Sequence, residues 1–291
     1  MTAVLDIAAL AAHPLPRLPV AGDKEDRGAV FVVGGDMVMA GASILAGVSA
    51  LRVGAGKLQI RADRTAAAAM ATTVPEARIV VSASRIAAPL MTPAASASAL
   101  VLGPGMDTGD AERRLAVRLL SHAGDVPAVV DAGALPVRRE AGRFAGIARG
   151  RIVLTPHAGE MASMLGCDKE AIKADPLAAG RESASMFQSV MVMKGATTYV
   201  ISPDGTAWRH EGGVAGLGTS GSGDVLAGAV GGLLARGAAP VVAALWGVVL
   251  HAEAGAALAA AGAPLGFLAR ELPDQLPIVL ARICATIEAA D

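Results

Sequence analysis

The chain contains the glycine-rich sequence GLGTSGSGDVLAG over residues Gly216–Gly228, and this sequence predicts a loop that leads into an apolar helix. Glycine permits positive φ angles and lets backbone N–H groups approach a ligand closely. The helix that follows adds the positive end of its dipole at the same place. Together these features predict an anion-binding site formed by Gly221, Ser222 and Gly223.

Asp224 follows these glycines directly. A carboxylate repels phosphate, so the functional interpretation is a general base that removes the proton of a hydroxyl group attacking a bound phosphate. The structural alternative is a helix N-cap, because aspartate is among the preferred N-cap residues. Taken alone, this stretch is compatible with both roles.

The rest of the chain alternates short apolar runs with segments of helical spacing. Val30–Val33 is a β-branched and aromatic run that ends at Gly34-Gly35, and Ala40–Leu51 follows with helical apolar spacing, which predicts a strand, a turn and a helix. Further strands are predicted at Leu58–Ile60, Ile79–Val81, Leu100–Leu102, Ala128–Val130, Ile152–Leu154, Met191–Met193 and Thr198–Ile201. This alternation predicts an α/β fold with a central, mostly parallel sheet flanked by helices on both faces.

Helices are predicted near the C-terminus at Asp224–Ala235, Pro240–Ala261 and Leu276–Ala290. The second contains a histidine, a glutamate and two glycines, so we expect a buried core helix and no membrane span. At the other end, Met1–Ala12 predicts a short helix, and Ala94–Ala99 predicts a small-residue loop. No long linker interrupts these elements, and residues 1–291 are expected to form a single domain.

Composition excludes several classes of function. The formal net charge is −1 over 291 residues and no run of like charges occurs, which argues against nucleic acid and anionic membrane surfaces as partners. The two cysteines, Cys167 and Cys284, lack CxxC spacing, so neither a disulfide framework nor a zinc site is predicted. This pattern is typical of a reducing compartment, and the cytoplasm is the expected location.

Six further motifs accompany the glycine-rich loop in a fixed order along the chain. They are Val30–Gly35 with Gly41-Ala42, Leu51–Gly56, Gly103–Gly105, Val130–Ala132, Thr155–Glu160 and Met193–Gly195. With Gly221–Asp224, this set resembles the NAD(P)H-hydrate dehydratases of the ribokinase-like superfamily. The resemblance extends over nearly the whole chain and implies a ribokinase-like domain without a fused epimerase domain.

The resemblance also implies roles for individual residues. Residues that would contact the hydrated nicotinamide substrate are Ala42, Gly105, His157 and Asp224, the last as the catalytic base. Residues that would contact ADP or AMP are Lys194, Gly195, Ala196, Thr197, Thr198 and Gly223. From chemistry alone, Lys194 would equally suit an exposed charge at the end of a strand.

Two acidic residues have other interpretations. Glu160 lies three residues after His157, so it is expected to be the capping-box partner of a helix that starts near Ala158, and no ligand. Asp131 follows an apolar strand and could hold magnesium through water, since hard cations take carboxylate and phosphate oxygens. The metal ligands are otherwise left open.

By the resemblance, the chain is a carbon–oxygen lyase of nicotinamide nucleotide repair. It would dehydrate the S epimer of NADHX or NADPHX at the expense of ADP or ATP, with Mg²⁺, and release AMP or ADP and phosphate. A homo-oligomer such as a homotetramer and a separate NAD(P)HX epimerase are expected as partners.

Three departures from the family pattern and two rival functions accompany this interpretation. Asp23-Lys24-Glu25 stands where the family often has His-Lys-Gly, and Gly133 stands where an acidic residue is common. Ser222 replaces the threonine often seen between the two glycines and keeps the hydroxyl group. The first rival is a kinase of the same superfamily that phosphorylates a vitamin precursor such as a hydroxymethylpyrimidine or thiazole alcohol. The second is a non-catalytic adenylate-binding module.

Overall fold

The computed structural model describes residues 2–17, 21–82, 87–262 and 264–290. Within them, ten strands form one sheet. The strands are β1 (Thr2–Val4), β2 (Ala29–Val33), β3 (Lys57–Ala62), β4 (Ala77–Val81), β5 (Ala99–Leu102), β6 (Ala128–Val130), β7 (Ile152–Leu154), β8 (Val190–Met193), β9 (Thr198–Ile201) and β10 (Ala207–His210).

The strands are arranged in the order β1-β10-β9-β8-β7-β6-β5-β2-β3-β4. From β4 across to β8 every neighbouring pair is parallel. Only β9 runs against its neighbours β8 and β10, while β1 lies parallel to β10 at the edge. The predicted mostly parallel α/β sheet is therefore confirmed.

Helices connect and cover these strands. The α-helices are α1 (Ala40–Arg52), α2 (Ala67–Thr73), α3 (Ala88–Ser96), α4 (Asp110–His122), α5 (Ala141–Ala148), α6 (Ala158–Leu165), α7 (Lys169–Ala174), α8 (Pro176–Phe187), α9 (Ser222–Ala235), α10 (Pro240–Ala260) and α11 (Leu272–Glu288). Short 3-10 helices occur at Ala8–Ala12, Met37–Met39, Ala132–Ala134, Arg138–Glu140, Ala215–Gly218 and Ala269–Glu271.

The central strands β2, β5, β6, β7, β8 and β9 contribute side chains to two separate hydrophobic cores. In β2, Val30 and Val32 join the core that contains α1, α9, α10 and α11, whereas Phe31 joins the core on the opposite face with α4, α5 and α8. This alternation follows from the two-residue period of a strand. It explains why the strands are apolar runs, since both faces are covered by helices.

Helix α10 is long and apolar enough, by length and composition, to cross a membrane, but 61% of its most apolar stretch is buried inside the protein. It packs against α9, α11 and strands β7, β8 and β9. The prediction of a buried core helix at this position is confirmed.

Two local predictions are wrong. The described part of Met1–Ala12 contains strand β1 and a 3-10 helix, because pairing of Thr2 with Ala207 at the sheet edge outweighs local helix propensity. The first half of the expected loop Ala94–Ala99 belongs to α3, which ends at Ser96, and Ala99 starts β5. Alanine is a strong helix former, and Leu90 and Ala94 bury one face of α3.

Candidate active site

The ends of three neighbouring strands bring Asp131, Thr155 and Lys194 together. Asp131 follows β6, Thr155 follows β7 and Lys194 follows β8, so all three lie at the carboxyl edge of the sheet, where ligands bind in folds of this kind. Thr155 Oγ1 donates to Asp131 Oδ1 at 2.8 Å, and Lys194 Nζ donates to the same oxygen at 2.9 Å. Asp131 is only 3% exposed, so its charge is balanced by the ammonium group.

Lys194 is the cation of a cluster of carboxylates. Its Nζ lies 3.7 Å from Glu160 Oε2. Burial alone would lower the pKa of Lys194, but the charges of Asp131, Glu160 and Asp224 outweigh burial and raise it. The side chain is 18% exposed, so the alternative of an exposed charge at a strand end is wrong.

The glycine-rich loop ends where α9 begins. Gly221 is the N-cap residue with φ +92°, a left-handed conformation that favours glycine. A β-carbon at Gly221 would lie 2.7 Å from Leu45 Cδ1. Asp224 is the third residue of α9, so the N-cap alternative for Asp224 is wrong.

The first turn of α9 has N–H groups that are free for a ligand. The Ser222 N–H donates to Thr219 O at 3.3 Å. Among the described residues, no hydrogen-bond acceptor is found for the N–H groups of Gly223 and Asp224. Because these groups lie at the positive end of the helix dipole, the turn is suited to bind an anion.

Asp224 has the chemistry of a base that works near neutral pH. Burial raises its pKa to about 7, the charges of Asp131 and Glu160 act in the same direction, and Lys194 opposes them. A general base is most effective when its pKa is near the operating pH. Asp224 therefore exchanges protons readily at the pH where most enzymes act.

His157 caps helix α6. Its Nδ1 accepts from the N–H groups of Gly159 and Glu160 at 3.0 and 3.1 Å, while Glu160 Oε2 accepts from the His157 N–H at 2.8 Å. The predicted capping-box role of Glu160 is confirmed, with the cap at His157 and the first helical residue at Ala158. Since Nδ1 accepts, the ring proton of neutral His157 lies on Nε2, and the side chain is 58% exposed.

Two cavities open at this edge of the sheet. The larger, about 540 Å³, is lined by five of the six residues expected to contact the nucleotide. These are Lys194, Gly195, Ala196, Thr198 and Gly223, whereas Thr197 is absent from the lining. Ser222, one of the expected anion-site residues, also lines this cavity.

The smaller cavity, about 460 Å³, lies beside the end of β2 and is lined by Gly34, Gly35 and Gly105. A β-carbon at Gly105 would lie 2.9 Å from Ala42 Cβ, so these two predicted substrate residues are neighbours. His157 instead lines the larger cavity, and Asp224 lines neither. The structure thus divides the predicted substrate residues between two places.

Sequence reasoning missed three polar residues of this region. Thr155 was seen only as part of a motif, yet it holds Asp131. Arg61 lines the smaller cavity and donates to Gly35 O at 3.2 Å. His251 Nε2 lies 2.8 Å from Ser222 Oγ. The signal in the sequence was a polar residue within an apolar strand or helix. A polar side chain is costly to bury without a hydrogen-bond partner, so each of these residues indicates a partner.

The described residues do not form a protein metal site. They contain no group of three or more His, Cys, Asp or Glu side chains placed to hold a metal ion. Asp131 has Lys194 and Thr155 as its partners, and an ammonium group at 2.9 Å repels a cation. The interpretation of Asp131 as a magnesium ligand is therefore not supported.

Known proteins are similar to this chain in sequence and in fold. The sequence model of the NAD(P)H-hydrate dehydratase family matches residues 30–278. The chain is similar to the ADP-dependent (S)-NAD(P)H-hydrate dehydratase of Xanthomonas campestris pv. campestris, with 45% identity over 95% of each chain.

Two solved structures are similar in fold. The ADP/ATP-dependent NAD(P)H-hydrate dehydratase of Bacillus subtilis, co-crystallised with ATP/Mg²⁺, superposes with a TM-score of 0.83 at 27% identity, over 97% of this chain and 99% of that one. A ribokinase-like superfamily protein of Enterococcus faecalis superposes with a TM-score of 0.80 at 22% identity, over 97% and 96% of the two chains. The second likeness concerns the fold alone.

Proposed function

The chain belongs to the NAD(P)H-hydrate dehydratase family, and from this premise we propose that it restores NADH and NADPH by dehydrating the S epimers of their hydrates, with ADP or ATP as phosphate donor. The observation that carries the catalytic assignment is the position of Asp224. This carboxyl group, with a pKa raised to about 7, lies in the helical turn whose free N–H groups are suited to phosphate.

The first step is phosphoryl transfer to the substrate. Hydroxide is a poor leaving group, so the C6 hydroxyl oxygen attacks the terminal phosphorus of the nucleotide while Asp224 accepts the hydroxyl proton. The bond from phosphorus to the bridging oxygen breaks, and AMP leaves when ADP is the donor. The N–H groups of Gly223 and Asp224 and the dipole of α9 stabilise the negative charge that develops.

The second step is elimination. The lone pair of the ring nitrogen expels inorganic phosphate from C6, and loss of a proton from C5 restores the C5–C6 double bond of the dihydropyridine. Both steps proceed without a covalent enzyme intermediate. Asp224 therefore needs to act as a base and not as a nucleophile.

The nucleotide fits the larger cavity. Lys194, Gly195, Ala196, Thr198 and Gly223 line it, and the cavity volume of about 540 Å³ is in the range of small-molecule sites. Lys194 also borders the start of α9, since a β-carbon at Gly223 would lie 3.4 Å from its Nζ. We assign the adenylate to this cavity, with its terminal phosphate at the first turn of α9.

Several further properties belong to the same proposal. Mg²⁺ would enter bound to the phosphate oxygens of the nucleotide, because hard cations prefer such oxygens and no residue of the described chain is assigned to it. A homo-oligomer such as a tetramer and a separate epimerase that converts the R hydrate are proposed partners. We also propose that the chain is one functional domain acting in the cytoplasm.

The rival functions have less support. A vitamin-precursor kinase would share the base and the anion site, but the relative that is 45% identical and the solved structure that is 27% identical are both dehydratases. A non-catalytic adenylate-binding module would have no use for a base with a pKa near neutral pH in the helical turn proposed to bind the phosphate.

The test is the near-ultraviolet absorbance of the purified protein mixed with S-NADH hydrate, Mg²⁺ and either ADP or ATP. The expected result is a nucleotide-dependent return of the dihydronicotinamide band, and the faster nucleotide identifies the donor. If the band does not return while alcohols are phosphorylated, the vitamin-precursor kinase replaces this proposal.

A further inference from the structure

A partly buried hydrogen bond joins the anion-binding turn to helix α10. Ser222 Oγ and His251 Nε2 lie 2.8 Å apart. Ser222 is the first residue of α9, between Gly221 and Gly223, and His251 lies in the middle of α10. Both residues line the larger cavity together with Lys194. His251 has no role in the reaction described above.

The side-chain hydroxyl is the only hydrogen-bond donor that Ser222 can offer to a ligand. Its backbone N–H already donates to Thr219 O at 3.3 Å, whereas the N–H groups of Gly223 and Asp224 have no acceptor among the described residues. Ser222 is 3% exposed, so the direction of its hydroxyl proton is set by its neighbours within the protein. The strongest of these is His251 Nε2.

The protonation of His251 decides what Ser222 can offer to a phosphate. A serine hydroxyl has one proton to donate. If Ser222 gave it to Nε2, only oxygen lone pairs would face a bound anion, and they would repel it. If Nε2–H donates to Oγ, the hydroxyl proton is free for the anion.

His251 is neutral at the pH where the site would act. Burial lowers its pKa to about 4, a hydrogen bond with the Ser222 backbone opposes that shift, and the nearby charge of Lys194 lowers the pKa further. A neutral ring has its proton on one nitrogen only. An anion at the start of α9 favours the tautomer with the proton on Nε2, because both hydrogen bonds then point toward the negative charge.

We propose that His251 is a positioning residue that donates from Nε2 to Ser222 Oγ and so directs the Ser222 hydroxyl proton to the terminal phosphate of a bound nucleoside diphosphate. This inference rests on the proposed function for the identity of the nucleotide. It concerns binding of the terminal phosphate, so it is testable without the dehydration reaction.

The experiment compares calorimetric affinities for ADP and AMP. In Ser222→Ala and His251→Leu we expect the preference for ADP over AMP to fall by about 10-fold or more, as for a lost hydrogen bond to a charged group, while AMP affinity stays unchanged. His251→Gln places an amide nitrogen near the position of Nε2 and should retain the preference within about 3-fold. The double variant should be no worse than either single variant.

Two further variants control for damage to the fold. Ser49→Ala removes another fully buried serine hydroxyl, one that donates to Leu45 O at 2.7 Å within α1, and should leave both affinities unchanged. His251→Asn keeps a polar group in α10 but its amide stops short of the Nε2 position. It should lose the preference as His251→Leu does, and it serves where the leucine variant fails to fold.

Three results would overturn the proposal. One is equal loss of ADP and AMP affinity, which indicates general damage to the cavity. Another is a double variant in which the losses of ADP preference from Ser222→Ala and His251→Leu add up. The third is a His251→Asn variant that keeps the full preference for ADP over AMP. A wild-type protein that fails to restore the dihydronicotinamide band would contradict the dehydratase proposal instead, and the affinity series would still decide the role of His251.

Discussion

Lys194 Nζ lies 2.9 Å from Asp131 Oδ1, and through this contact one buried ammonium group balances the charge at the centre of the site. The same ammonium group lowers the pKa of Asp224, but burial and the neighbouring carboxylates raise that pKa by more. Asp224 can therefore still act as a base near neutral pH. Lys194 therefore has a structural role that is separate from any contact with the nucleotide.

Lys194→Met is expected to destabilise the fold by about 3–5 kcal/mol, because it leaves the buried Asp131 carboxylate without its cation. Lys173→Met is the matched control, since Lys173 and Glu170 are 51% and 73% exposed and such a pair contributes about 0–1 kcal/mol. Urea unfolding measures both. If Asp131→Asn added to Lys194→Met fails to recover stability, the loss has another cause.

Asp224→Asn is expected to lower turnover by about 10²–10⁴-fold, the usual contribution of a positioned general base, and to leave ADP affinity close to that of the wild type. The assay is the return of dihydronicotinamide absorbance, with ADP affinity measured by calorimetry. Asp204→Asn, in an exposed turn where Asp204 accepts from the Thr206 N–H, is the control and should turn over normally. Unchanged turnover in Asp224→Asn would remove Asp224 from the catalytic role.

The pH dependence of kcat/KM should show an acidic limb with an apparent pKa of about 7, since Asp224 must be ionised to accept a proton and its pKa is raised to about 7. Activity therefore rises as pH increases through this range. In Lys194→Met the limb should move to higher pH, because Lys194 lowers the pKa of Asp224. A limb near pH 4 in the wild type would contradict the assignment of the base.

The sheet was predictable because parallel strands buried on both faces are apolar runs, and Ala128–Val130 and Ile152–Leu154 were predicted with the bounds they have in the structure. Strand β1 was not, because its stability comes from pairing with residues about 200 positions away along the chain. Local propensity contains no information on such a partner.

The site was predictable where a residue has a recognisable place in a motif, as for Asp224 and Lys194. The partners of those residues were not, because they depend on distances between separate elements. The Lys194–Asp131 pair joins residues 63 positions apart and the Ser222–His251 contact joins residues 29 positions apart. No spacing rule along the chain predicts either contact.

The stability of Asp224→Asn relative to the wild type should depend on pH. Because the pKa of Asp224 is raised from 3.8 to about 7 on folding, the folded protein binds more protons than the unfolded chain between about pH 4 and pH 7. The wild type thus loses stability as pH rises through this window. Asparagine cannot ionise, so the variant should match the wild type near pH 4 and melt a few degrees higher at pH 8.

Thermal unfolding at both pH values measures this difference. The shifts of titrating groups that do not interact with Asp224 are common to both proteins and cancel in the comparison. A variant that melts lower than the wild type at pH 8 would show that the Asp224–Lys194 attraction outweighs the cost of burying the Asp224 charge.

His157 variants should separate capping from substrate binding. His157→Ala removes the Nδ1 acceptor of the Gly159 and Glu160 N–H groups and should cost about 0.5–2 kcal/mol of stability, the usual effect of losing an N-cap. His157→Asn keeps an acceptor at a similar place, because asparagine is a favoured N-cap residue, so its stability should stay near that of the wild type.

Both His157 variants also lack the exposed Nε2–H. If this group contacts the hydrated nicotinamide, both should raise the KM for that substrate by about 10-fold, as for a lost hydrogen bond. Asp168→Ala, which removes the N-cap of α7, is the matched control and should lower stability without changing KM. A wild-type KM in His157→Asn would restrict His157 to capping α6, and the substrate would then be expected in the cavity lined by Gly105.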